Sequence, residues 1–159
     1  NQRDIILRGA FQHSLQRGLR DIKLLWQHRQ DEPIGVLEQI FEDAHGLYIQ
    51  GRLLPEVQRA QEALALLKAG ALKGLSIGYS PVRYHVDPDT GVRLLAEVDL
   101  WEVSLVTFPA NDAAQVTVVK QFEPILTNQE IGQWATAVRT GQAVELTQAL
   151  DKAMRALTQ

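Results

Sequence analysis

Apolar residues recur at every second position over several short stretches of this chain, a period that predicts strands. Ile22, Leu24 and Trp26 form the first clear run, and it leads to His28. A polar turn is expected over Arg29-Gln30-Asp31-Glu32-Pro33, followed by a second strand from Ile34 to Glu42. Asp43-Ala44-His45-Gly46 interrupts it, and Leu47, Ile49, Gly51 and Leu53 alternate again, which predicts a hairpin. The period then changes. Val57, Ala60, Leu64 and Leu67 are spaced by three, four and three, as on one face of a helix. Pro55 suits its first position, Glu56 the positive end of its dipole, and Gly70 its C-terminal cap.

The second half returns to strands. Leu75, Ile77 and Tyr79 alternate with Ser76, Gly78 and Ser80, and Val82, Tyr84 and Val86 extend the pattern. Asp87-Pro88-Asp89-Thr90-Gly91 is a turn by composition, and Val92 to Leu100 is its return strand. Trp101 to Phe108 reads as a further extended run, closed by Pro109-Ala110-Asn111, and Val116 to Val119 as one more short strand. Two polar helices are expected after Pro124, one capped near Asn128 and one over Ala143 to Leu157. Strands, one helix, more strands and then helices predict an α+β domain with a mostly antiparallel sheet or a small barrel.

Composition narrows the function classes. The 159 residues are 45% hydrophobic and 22% charged, enough for one ordinary domain with a real core. The apolar runs are too short to span a bilayer, and no charged-then-apolar leader opens the sequence. There is no cysteine, which removes disulfides, a thiol nucleophile and thiolate metal sites. A net charge of −3 without a basic block gives no footprint for nucleic acid. The abrupt apolar start at Ile5 to Leu7 leads us to expect that the chain begins inside a longer precursor.

Four histidines could carry chemistry. His13, His45 and His85 lie in polar or turn-adjacent stretches and suit a surface role. His28 differs, because it sits at the end of an apolar strand, facing a loop and held by a rigid neighbour. Ser76 is the matching candidate nucleophile. Leu75 and Ile77 share one strand face, so Ser76 projects from the other, flanked by Gly74 and Gly78. A serine hydroxyl needs an adjacent base to become nucleophilic; on pattern alone, the ordinary reading of Ser76 as a solvent-facing strand serine, with its glycines marking bulges, prevails. Glu102 shares a face with Ser104 and Val106 in an apolar run, where an unpaired carboxylate is costly, and a histidine would be its natural partner. The ordinary alternative is an exposed edge position or an ion pair with arginine. Strict alternation places Asp99 on the face opposite Glu102. No metal-ligand spacing, phosphate loop or favoured carboxylate pair appears, so no cofactor is expected.

Taken in order, Gly9-Ala10-Phe11, Leu24-Leu25-Trp26-Gln27-His28, Pro33-Ile34-Gly35, Gly46-Leu47-Tyr48, Lys73 to Tyr79 and Trp101-Glu102-Val103-Ser104-Leu105-Val106 with Pro109-Ala110-Asn111 resemble the phage prohead (capsid maturation) serine proteases, relatives of the herpesvirus assemblins. The resemblance covers roughly residues 5 to 120. It implies a small β-barrel flanked by helices over residues 1–122, with a strand ahead of Asn1 missing; residues 123–159 match nothing specific in the family and are expected to form a C-terminal helical extension. It implies a serine endopeptidase with Ser76 as nucleophile and His28 as base; assemblins place a second histidine third, and here Glu102 fits that position better than His85. The implied substrates are a scaffold protein or the scaffold segment of the major capsid protein, with self-cleavage, inside the immature capsid in the bacterial cytoplasm. Neither a nucleic-acid nor a membrane partner is implied, and a homodimer is compatible with it. The alternative reading is a non-enzymatic capsid assembly or scaffold module that keeps the protease fold.

Overall fold

The structure, a computed structural model, describes residues 4–120. The chain runs through β1 (Asp4–Ile6), α1 (Gln12–Arg17), β2 (Lys23–Trp26), β3 (Arg29–Glu42), β4 (Leu47–Leu53), α2 (Gln58–Lys68), β5 (Gly74–Val86) and β6 (Arg93–Val106). The expected helices beyond Pro124 lie outside the described residues. Among those residues, no helix is long and apolar enough to cross a membrane.

All six strands belong to one mixed sheet organised on β6. Along one edge β6 pairs in parallel with β1 near its start, Leu94 opposite Ile5, and with β2 near its end, Ser104 opposite Leu25. Along its other edge it pairs antiparallel with β5. The sheet continues antiparallel from β2 to β3 and from β3 to β4. The gap between β1 and β2 is filled by the segment leading into α1. Ala10 accepts a hydrogen bond from the Val98 N–H at 3.0 Å. The Ser14 hydroxyl accepts from the Leu100 N–H and donates to the Val98 carbonyl, both at 2.8 Å. A fully buried serine thus does the work of a missing strand, because buried backbone groups must find partners.

The core lies on one face of β5 and β6. Val98, Leu100, Val103 and Leu105 are buried there, with Leu75 and Ile77 packed against them. Leu24, Ile34 and Leu37 extend this core across β2 and β3, and Phe11, Ile22, Ala60, Ala63 and Leu72 complete it from the connecting segments and α2.

Several expectations change in detail. No ladder joins β4 to β5 among the described residues, so the sheet is not closed into a barrel. Between them the chain runs through α2, which packs on β3 and β4, and both strands remain edges among the described residues. The mostly antiparallel character holds for three ladders of five. Arg29–Pro33 is not a turn but the start of β3. Val92–Leu100 and Trp101–Phe108 merge into the single strand β6. Val116–Val119 forms no strand; only Gln115 bridges to Gly74. Helix α2 begins at Gln58 rather than Pro55, with Val57 as its N-cap. Gly70 does terminate it, at φ +71°: its N–H bonds to the Leu67 carbonyl and that of Ala71 to Leu66, a Schellman motif. The Asp87–Gly91 turn is as expected, with the Asp87 carboxylate accepting from the N–H groups of Asp89 and Thr90.

The three-residue strand β1 is held by charge as well as by pairing. The Arg93 guanidinium grips the Asp4 carboxylate at 2.7 and 2.6 Å, and the Tyr79 hydroxyl donates to it at 2.8 Å. The bonds from Arg93 are the main reason the Asp4 carboxyl stays below the usual carboxylate range. Burial, then the adjoining Asp4 carboxylate, push the Tyr79 phenol up to about 12. A depressed carboxyl contributes stability above its unfolded pKa, and that stability is lost as pH falls through the folded value. A raised phenol contributes stability fully present below its unfolded pKa of about 10, lost as pH rises towards about 12. Urea unfolding followed against pH should therefore weaken below about pH 4 and again above about pH 10. Asp4→Asn should cost about 2 kcal/mol at neutral pH and flatten the acid limb, whereas Tyr79→Phe should flatten the alkaline limb.

Candidate active site

The candidate residues lie on the side of the sheet away from the core. Across an antiparallel ladder, paired residues project from the same face with Cβ atoms about 5 Å apart. Ser76 of β5 pairs with Ser104 of β6, and Gly78 pairs with Glu102. The neighbouring pairs Leu75–Leu105 and Ile77–Val103 point to the core. Ser76, Ser104 and Glu102 therefore share one face; alternation predicted this for Glu102 and Ser104 and put Ser76 opposite Leu75 and Ile77.

Between Gly78 and Tyr79 the register slips. Gly78 opposes Glu102 but Tyr79 opposes Leu100, so Trp101 is an extra residue in β6, a bulge. The bulge resets the alternation, and it overturns one expectation. Asp99 pairs with Ser80, two residues beyond Gly78 on β5, so Asp99 lies on the same face as Glu102 and not on the opposite one. It is nevertheless spoken for, because its carboxylate pairs with Arg17.

Glu102 is 1% exposed and Ser104 0%. A carboxylate so placed costs several kcal/mol unless it is paired and hydrogen-bonded. Both of its oxygens are used. Oε1 lies 2.5 Å from His28 Nδ1, and Oε2 accepts from the Ser104 hydroxyl at 2.7 Å. The expectation that Glu102 meets a histidine, rather than an arginine or solvent, agrees with this geometry. Room for it comes from Gly78: a Cβ at that position would sit 2.6 Å from Glu102 Cγ and 2.8 Å from Cδ.

His28 reaches Glu102 through an unusual turn. Trp26 pairs with Arg29, so Gln27 and His28 form a two-residue hairpin loop, with φ +50° and +60°. Positive φ at both positions is the type I′ pattern, which favours Asn and Gly and costs a larger side chain about 1–2 kcal/mol. The turn is pinned to the end of β6. The Gln27 N–H donates to the Leu105 carbonyl at 2.9 Å, and its side-chain amide donates to the Thr107 hydroxyl at 2.8 Å. The His28 N–H donates to Ser104 Oγ at 3.0 Å. Behind the turn, the Arg59 guanidinium of α2 lies 5.6 Å over the Trp26 ring and 3.2 Å from Glu32.

With Nδ1 engaged, the His28 ring keeps Nε2 for a second partner, and its side chain is 44% exposed. Among the described residues no hydrogen bond joins Ser76 to His28. Ser76 is half-buried, one strand away from the Glu102–Ser104 pair. The other histidines stand apart: His13 and His45 are exposed on α1 and the β3–β4 turn, and His85 is exposed on β5 opposite Leu94. Among the described residues no three metal-ligating side chains converge. The pattern reading gave Ser104 and Gln27 no place in the site, and took Gly78 as flanking Ser76 rather than as making room for Glu102. Only Gly78 carried a signal, as a glycine within a strand, which marks close approach.

A family model described as caudovirus prohead serine protease matches residues 1–128. The prohead protease of Enterobacteria phage HK97 is 33% identical over 159 residues, covering 96% of this chain and 70% of that protein. The capsid polyprotein of Pseudomonas phage PAJU2 is 35% identical over 109 residues, 64% of this chain but only 16% of that larger protein.

Gly78→Ala tests how tightly the carboxylate is held. The added methyl has to displace Glu102, and we expect a loss of about 1–3 kcal/mol in urea unfolding, as for other overpacked sites. A change below about 0.5 kcal/mol would show that Glu102 can step aside.

Proposed function

The chain belongs to the caudovirus prohead serine protease family, and we propose that it is a serine endopeptidase that cuts capsid precursor proteins during prohead maturation. Ser76 is the nucleophile, His28 its general base, and Glu102 the acid that orients the imidazole. The observation that carries this reading is the buried Glu102 carboxylate on His28 Nδ1, on the sheet face from which Ser76 projects. A carboxylate there fixes the tautomer with the proton on Nδ1 and leaves Nε2 as the base.

In this mechanism an extended substrate places its scissile carbonyl at Ser76. His28 Nε2 takes the hydroxyl proton as Oγ attacks, and the resulting imidazolium is stabilised by Glu102. His28 then gives that proton to the leaving amine, and an acyl-enzyme remains on Ser76. Water, deprotonated by His28 in turn, releases the second product. The side chains that hold His28 lie on β6 and in its own hairpin loop, so the base is fixed by rigid elements rather than by a mobile segment. The gap between Ser76 and His28 closes when substrate docks, since catalytic hydrogen bonds often tighten only in the complex.

The expected substrates are a scaffold protein or the scaffold segment of the major capsid protein, and self-cleavage belongs to the same reading. The similarity to a capsid polyprotein supports a place beside capsid precursors. The protease acts inside the immature capsid of the phage, in the bacterial host.

Ser76→Ala, co-expressed with the capsid precursor, should abolish precursor cleavage and lower kcat by at least about 10⁴-fold. His28→Asn should match that loss while keeping the backbone of the turn, because asparagine tolerates its left-handed φ. A serine-directed fluorophosphonate should label Ser76 in the parent chain and not in either variant. Cleavage that persists in Ser76→Ala would overturn the assignment, and so would a non-enzymatic assembly module that takes no label at all.

A further inference from the structure

We propose that Ser104 is a positioning residue of this site, holding the strained His28 turn and the Glu102 carboxylate in one fixed arrangement. The inference rests on the reading of Ser76, His28 and Glu102 given above, and it goes beyond that trio. Ser104 is fully buried, and its hydroxyl is used in both senses at once. As acceptor it takes the His28 backbone N–H at 3.0 Å; as donor it bonds Glu102 Oε2 at 2.7 Å. Glu102 Oε1 returns to His28 Nδ1 at 2.5 Å. These three hydrogen bonds close a ring through four groups: His28 main chain, Ser104 hydroxyl, Glu102 carboxylate and His28 ring.

Each member of the ring needs the hydroxyl for a different reason. The His28 N–H sits in a two-residue turn whose ladder bonds are taken by its neighbours, so a buried partner has to come from a side chain. The carboxylate is shut away from water, and histidine alone satisfies only one of its oxygens. The turn stores backbone strain at Gln27 and His28, and strain of this kind persists only where surrounding contacts over-determine it. Serine meets all three needs because a hydroxyl donates and accepts together. Alanine or cysteine of similar size meets none of them well, since one has no polar atom and the other a weak donor and weak acceptor. Ser104 touches neither substrate nor the reacting atoms; it acts through His28 and Glu102.

The experiment reads the ring directly, apart from catalysis. In a Ser76→Ala background, with isotope-labelled histidine, the His28 Nδ1–H proton bonded to a buried carboxylate should appear as a far-downfield, slowly exchanging NMR signal. Adding Ser104→Ala or Ser104→Cys should broaden or abolish that signal, while thermal unfolding stays cooperative for at least the cysteine variant. In chains that retain Ser76, the same two substitutions should slow fluorophosphonate labelling roughly 10- to 100-fold, as expected when a base is mispositioned by a fraction of its length. A downfield signal that survives both substitutions overturns the proposal, whatever happens to labelling. If instead Ser76 takes no label in any chain, the protease reading fails, and the NMR signal alone still decides whether Ser104 holds the ring.

Discussion

The Glu102 carboxylate is the constraint around which this structure is arranged. It is buried on a strand whose other face is the hydrophobic core, so its solvation has to be replaced by protein groups. Three separate elements supply that replacement or the room for it. The β2–β3 loop brings the His28 ring, β6 itself brings the Ser104 hydroxyl, and β5 contributes the empty Cβ position of Gly78. None of the three can be moved without the others. A change of register between β5 and β6 would bring a side chain against the carboxylate, and a relaxed turn would withdraw the histidine.

The local irregularities of the sheet follow from this requirement. Two left-handed residues with long side chains are poor choices for a hairpin loop, where Asn-Gly would be relaxed. They are retained here with an unusual number of clamps, from the Leu105 carbonyl, the Thr107 hydroxyl and Ser104. The Trp101 bulge has a comparable effect. It sits immediately before Glu102 and shifts the phase of β6, so that Leu100 stays in the core while Glu102 faces the other way. Bulges and strained loops cost stability, and both occur next to the residues of the candidate site.

Much of this was legible in the sequence, and the remainder was hidden for identifiable reasons. Alternation about Leu75 and Ile77 correctly placed Ser76 off the core face, because β5 is regular there. The end-of-strand position of His28 and its pairing with a carboxylate were also readable. The face of Asp99 was misread because alternation assumes no bulge, and nothing in Asp99-Leu100-Trp101-Glu102 marks one. The loop at Gln27-His28 was placed too late, at Arg29–Pro33, because polar residues and a proline signal turns more strongly than glutamine and histidine do. Helix α1 went unseen because it has only six residues, and its buried Ser14 serves β6 rather than the helix. The barrel expected from family resemblance gives way to an open sheet, because among the described residues β4 and β5 share no ladder.

The family-like segments gain a physical meaning once their positions are known. Leu24 to His28, Gly74 to Tyr79 and Trp101 to Val106 are far apart in sequence, yet they are the neighbouring strands β2, β5 and β6 with the attached loop. Pro109, just beyond them, packs where a side chain at Gly74 would have to go, with its Cδ 2.9 Å from that position. Each segment alone is a short apolar strand with a small or polar interruption, and such strands are common. Their combination is restrictive because the interruptions must line up: the glycine opposite the glutamate, the serine opposite the serine, and the histidine loop over both. A set of weak motifs in fixed order therefore records one tightly coupled site, and its specificity comes from the packing of three strands rather than from any single residue.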